Sequence, residues 1–168
     1  GGGPSFFNRG TLLKQGNTNA TAFGRVGFQN FGTVAAQDGP LSYPVHSHWK
    51  NDTLITGAGG VQLNGGEHYF DGLLNLQGPL TLNGGSYHLQ PRFAGAVPVV
   101  WNGGRFWDQA TVETGARLEL RGDAVKDLSS DNNEIPASIT NRGTVVWYSG
   151  LVRGWANAQI HNANTWQL

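Results

Sequence analysis

Along residues 61–120, apolar and polar positions alternate in a pattern that returns every nineteen residues. Val61, Leu80, Val99 and Leu118 fall in one column and Leu63, Leu82, Trp101 and Leu120 in a second, with Gln62, Thr81, Val100 and Glu119 between them. Apolar residues at every second position mark a strand with one buried face, so each copy predicts a short strand. Three of these strands run into Asn-Gly-Gly, at Asn64, Asn83 and Asn102, and in the fourth Arg121-Gly122-Asp123 takes that place. A second turn marks the two ends of the chain: "FFNRGTLLK" at Asn8, "FQNFGTVAA" at Asn30, "ITNRGTVVW" at Asn141 and the degenerate "IHNANTWQL" at Asn162. Its spacings are 22 and 21 residues, again one repeat. Asparagine bonds neighbouring backbone and tolerates left-handed angles, and glycine supplies positive φ, so both turns read as corners.

Short strands and turns at a period near 20 residues indicate a solenoid. A leucine-rich repeat needs an L-x-x-L-x-L frame and a helical return, neither of which is present, and a sandwich has no fixed repeat. The pattern therefore predicts an all-β, single-stranded parallel β-helix, right-handed as such coils usually are, with successive coils about 4.8 Å apart. Seven or eight coils fit the 168 residues as one module. Residues 37–60 and 126–139 break the period and are expected to be irregular loops or bulged coils, where binding features tend to be added.

Composition narrows the function classes. The 26 glycines are about twice the ordinary usage of roughly 7%, and the charged fraction of 13% is about half the usual value. Eleven basic residues balance eleven acidic ones, so no basic field exists to collect nucleic acid or an anionic membrane. No apolar run is long enough for membrane insertion, and there is no cysteine. The chain opens on Gly-Gly-Gly-Pro without methionine, which reads as a module linked to other domains of a longer protein. The Asn, Gly, Thr and aromatic bias suits a secreted or cell-surface location.

The F-x-N-x-G-T turns, with their G-x-L and x-x-G-G continuations, resemble the β-strand repeats of large bacterial surface proteins and adhesins. The expected coil is similar to the β-helices of pectate-lyase-like proteins and of β-helical carbohydrate-binding modules. The resemblance covers nearly the whole chain and implies an architecture, on which unrelated sites are grafted.

After each Asn-Gly-Gly turn comes "EHYF", "SYHL" or "RFWD". Parity sends Tyr87, Leu89 and Phe106 inward, and it sets Glu67, Ser86 and Arg105 in one outward row and Tyr69, His88 and Trp107 in the next. Coil spacing close to one sugar length makes this a candidate polysaccharide track: Tyr69, His88 and Trp107 as stacking surface, Glu67 and Arg105 as polar edges. The competing reading is a ring ladder that only stabilises the sheet. Of the six tryptophans, parity assigns Trp101, Trp147 and Trp166 to the interior. Trp49, Trp107 and Trp155 are left as candidate surface rings.

His46 and His48 share one side of "HSHW" but have no further metal ligand at a recognisable spacing. "DLSSDNNE" gathers Asp127, Asp131 and Glu134 as the weak candidates for calcium, outside any EF-hand frame. The Arg121-Gly122-Asp123 tripeptide is accounted for as a turn of the repeat, and Asn19 and Asn51 match glycosylation acceptors. For catalysis, a glycosidase needs two carboxylates across one cleft. Asp108 and Asp127 align at equivalent positions of adjacent coils, turned by parity toward the interior or into the bend after the strand, Glu113 and Glu119 face outward with Arg117 beside Glu119, and no nucleophile motif occurs. No catalytic residue and no resident cofactor are assigned. The leading expectation is a non-catalytic polysaccharide-binding module; a structural or adhesive stalk comes second, and a polysaccharide lyase or hydrolase third.

Overall fold

The computed structural model describes residues 3–130, 135–155 and 157–168. Every strand pairing in it is parallel, and the chain winds through about eight coils of a β-solenoid with no helix among the described residues. Each coil visits three faces. The first carries Thr21–Ala22, Leu41–Tyr43, residues 61–63 and 80–82, Val99–Trp101, Arg117–Leu120, Thr144–Trp147 and Thr165–Gln167. On the second stand Ser5–Asn8, Gly27–Asn30, His46–Trp49, residues 67–70 and 86–89, Gly104–Phe106, Lys126–Leu128 and Val152–Gly154. The third is an eight-stranded sheet running from Thr11–Lys14 to Gln159–Asn162. Val61–Phe70 and Leu80–Leu89 are continuous strands that bend from the first face onto the second, which is why those two faces form one sheet.

The apolar columns stack in register. Val61, Leu80, Val99 and Leu118 pair in succession, as do Leu63, Leu82, Trp101 and Leu120, and all eight are buried. Outward residues at alternate positions are those the pattern gives. Trp101 is fully buried, and Trp147 and Trp166 are partly buried against the same core near the chain's end.

The corner between the first and second faces explains the Asn-Gly-Gly repeat. Asn83 donates to Asn64 Oδ1 at 2.6 Å, Asn102 donates to Asn83 Oδ1 at 2.7 Å, and Asn64 donates to Ser42 Oγ at 2.8 Å. The glycine that follows has positive φ in each coil, 76° at Gly66, 94° at Gly85 and 94° at Gly104. A Cβ on Gly66 would run into Val45 O, and one on Gly85 would sit 2.5 Å from Gly66 O. At these glycines consecutive backbones pass too close for a side chain. In the next coil Lys126 replaces the glycine, and its fully buried side chain donates to Gly122 O and Ala124 O at 3.1 Å each, holding the Arg-Gly-Asp turn from inside.

Four expectations need correction. Residues 37–60 are no loop: Leu41–Tyr43, His46–Trp49 and Thr53–Thr56 supply one strand to each face, with Pro44 at the corner where later coils have Asn-Gly-Gly. In 126–139, Lys126–Leu128 is a second-face strand and Ser138–Asn141 enters the third face, so both ends of this segment belong to the solenoid. The Asn-x-Gly turn serves two different corners. Asn8 and Asn30 lie between the second and third faces, whereas Asn141 and Asn162 lie between the third and first. The bonding is the same at both: Asn8 donates to Asn30 Oδ1 and Thr33 O, and Asn141 donates to Asn162 Oδ1 and Thr165 O. Finally, Leu89 is not interior: its φ of 68° ends the strand and turns it outward, 38% exposed.

Candidate functional site

The outward side of the second face carries two parallel rows. One runs through His46, Glu67, Ser86, Arg105, Asp127 and Arg153, and the other through His48, Tyr69 and His88 to Trp107. Strand alternation fixes both, because Ser47, His68, Tyr87, Phe106 and Leu128 between them point inward and are buried. The expected placement of Tyr69, His88, Trp107, Glu67 and Arg105 therefore holds. Residues 46 and 48 extend both rows by one coil, which reading this segment as a loop had hidden.

The rings are stacked on one another. Tyr69 and His88 lie 4.7 Å apart at 17°, and His88 and Trp107 lie 5.9 Å apart at 11°. Arg105 covers Trp107 at 4.6 Å, and the Trp107 indole N–H has no hydrogen-bond partner among the described residues. Ring faces inside the file are thus taken up by neighbouring rings. Tyr69 differs: on its other side His46 and His48 meet it at 58° and 50°, with centroids 5.5 and 5.8 Å away. There a hollow of about 300 Å³ opens, lined by Ser5, Gly27, Phe28, Gln29, His46, His48 and Tyr69. The Tyr69 hydroxyl donates to Glu67 Oε2 at 2.9 Å; burial, and after it this bond, raises the phenol's pKa above its ordinary value.

Charges along the face are matched. His48 Nε2 is 3.0 Å and Lys50 Nζ 2.7 Å from the Asp71 carboxylate; burial raises the pKa of Asp71, but these two partners outweigh it and hold it below the usual range. Arg153 donates to both Asp127 oxygens, at 2.6 and 3.0 Å, and holds the pKa of that carboxyl down against partial burial.

Two expected site residues sit elsewhere. Trp49 is fully buried and donates its indole N–H to Ser47 Oγ at 2.6 Å; with His46 and His48 outward on a true strand, position 49 must point in. Asp127 pairs with Arg105, not with the column of Asp108, and it faces outward with its oxygens on Arg153, so it is not free to ligate calcium. Asp131 and Glu134 lie outside the described residues. Among those described, no group of three or more His, Cys, Asp or Glu residues is placed to hold a metal ion. Trp155 is a surface ring, 52% exposed, beneath the Arg153 guanidinium at 5.2 Å.

Sequence reasoning also missed a cleft of about 360 Å³ at the corner between the second and third faces. Phe70, Asp71, Leu89, Gln90, Arg92, Asp108 and Ile135 are among its lining residues. Asp108 accepts from the Leu89 amide at 2.8 Å and so fixes the left-handed turn. Comparison with protein-family models, curated proteins and solved structures gives no match, so the residues themselves carry the functional argument.

Proposed function

We propose that the chain is a non-catalytic, secreted or cell-surface module that binds polysaccharide on the outward side of its second face. One observation carries the reading. Tyr69 offers a ring to a hollow of about 300 Å³ whose walls, besides Gly27 and Phe28, carry the hydrogen-bonding groups of His46, His48, Gln29 and Ser5. A pyranose asks for this combination, an aromatic platform for its C–H face and polar partners for its hydroxyls. His88 and Trp107 continue the surface by their edges and brace Tyr69 from behind.

The second reading, a structural or adhesive stalk, is favoured by the self-stacking of the ring file and by the asparagine ladders, which give cohesion between coils without any ligand. Affinity electrophoresis in gels cast with xylan, glucan or pectin separates the two. Binding retards the wild type, and Tyr69→Ala abolishes the retardation while its melting curve stays cooperative. Unchanged mobility with every glycan refutes the binding reading and leaves the stalk. Release of reducing ends or unsaturated products would instead establish the lyase or hydrolase, with the Asp71 and Asp108 cleft as the place to look.

A further inference from the structure

Gly27 has no backbone reason to be glycine. Its φ is not in the left-handed region, and an added Cβ would meet Ser5 Oγ at 3.4 Å, an ordinary contact. Gly66, Gly85 and Gly104, by contrast, are required by their corner. What the missing side chain at Gly27 does is keep the outward row empty below His46, and this leaves two adjoining hollows of about 300 and 330 Å³ that share Ser5, Gly27 and His46.

Arg25 stands at the rim of the second hollow in the left-handed region, with φ of 60°. Arginine there is strained where glycine would be relaxed, and outliers of this kind concentrate at ligand sites. Its guanidinium makes no ion pair or hydrogen bond among the described residues. No aspartate or glutamate lines either hollow; the ionisable groups there are Arg25, His46, His48 and Tyr69. The nearest carboxylates are engaged from outside, Glu67 4.0 Å from His46 and by Tyr69, and Asp71 by His48 and Lys50.

We propose that this double hollow is an anion-reading subsite: Tyr69 takes the face of a sugar residue while Arg25 and the two imidazoles receive its carboxylate or sulfate ester. The proposal rests on the polysaccharide reading above and adds to it the class of glycan. A guanidinium with no partner among the described residues, in a hollow adjoining the one that Tyr69 lines, selects an acidic sugar over a neutral one by forming charge-assisted bonds that a neutral sugar cannot return.

The test uses the intact chain in affinity gels cast with polygalacturonate, carrageenan or xylan. Wild type is expected to bind at least one of the two acidic polymers about tenfold more tightly than xylan, the scale of one charge-assisted bond. Arg25→Gly removes the charge and relieves the left-handed strain, so it loses that preference while its melting temperature holds or rises. Gly27→Leu fills the hollow and loses binding to the same extent. Arg142→Ser, which removes one charge at a distant corner, keeps wild-type retardation. A polygalacturonate preference assigns the carboxylate and a carrageenan preference the sulfate ester, and either supports the subsite. Equal retardation by xylan overturns the anion subsite and leaves the polysaccharide reading standing. Acidic retardation that survives Arg25→Gly places any binding elsewhere and overturns it too, whether or not Gly27→Leu folds. No retardation in any gel overturns both.

Discussion

His68 is a histidine folded into the core, and its environment predicts how stability depends on pH. It is fully buried on the inward side of the second face, stacked at 5.9 Å on Tyr87. Its hydrogen bonds fix the tautomer. Nε2 lies 2.7 Å from Gly65 O, which only accepts, so Nε2 carries the proton; Nδ1 then accepts from Ser47 Oγ at 2.6 Å, and Ser47 accepts from Trp49 Nε1. Burial favours this neutral form and pushes the pKa down from 6.5 to about 4. The unfolded chain therefore takes up a proton that the folded chain refuses. Stability from this group is complete above about pH 7 and drains away as pH falls from 6.5 to 4. The full loss is about 3 kcal/mol, of which about 2 kcal/mol has gone by pH 5.0, before carboxylates titrate much. That is a sizeable part of the 5–15 kcal/mol typical of a domain. Urea unfolding at pH 7.5 and 5.0 measures it. Because the chain has four other histidines, the quantity to compare is the drop in wild type against the drop in His68→Gln, which should be smaller by about 2 kcal/mol. An NMR titration of the wild type checks the assignment without a mutant. Titration of His68 near pH 6.5, or equal drops in both proteins, would refute the reasoning.

Two further perturbations test the corners. Gly85→Ala forces a side chain into φ of 94° and against Gly66 O, and should cost about 2 kcal/mol or more, whereas Gly27→Ala should change the urea midpoint little. Asn30 is fully buried, accepts from Asn8 and donates to Gly32 O and Thr53 Oγ1. Replacing it with alanine strands several buried groups and should cost about 2 to 4 kcal/mol by the same assay, far more than alanine at the exposed Asn83.

Much of the fold was legible because a solenoid repeats its reasons. Wherever strand and corner recur with the same chemistry, as from Val61 to Leu120, alternation alone assigned the inward and outward positions, Leu89 excepted. Legibility failed where a coil solves the same problem with different residues. Pro44 turns the corner that Asn-Gly-Gly turns later, so the coil of residues 41–56 looked like a loop, and with it were lost the inward Trp49 and the outward His46 and His48. Leu89 failed for a local reason, since a left-handed leucine held by Asp108 is invisible to a pattern of apolarity. Asp127 was misaligned because the Arg-Gly-Asp turn lengthens its coil. The outward row of Glu67 and Arg105, and that of Tyr69, His88 and Trp107, was readable from parity. The hollow beside Tyr69 was not, because it depends on an absent side chain two coils away.

That absence separates site from scaffold. In a stacked column each residue has neighbours above and below that justify it, so a departure without a packing reason calls for another cause. Lys126 departs from the glycine column, but the carbonyls of Gly122 and Ala124 account for it, and the turn it braces closes the gap left by a longer coil. Gly27 and Arg25 depart in the opposite sense. The first omits a side chain that the backbone would accept, and the second holds a charged one where the backbone resists it. Neither choice adds cohesion between coils, and the two lie within three residues on the rim of the same cavity. A stalk selected only for rigidity gains nothing from either, so under the binding proposal the ligand sits at this end of the ring file and not along the file itself.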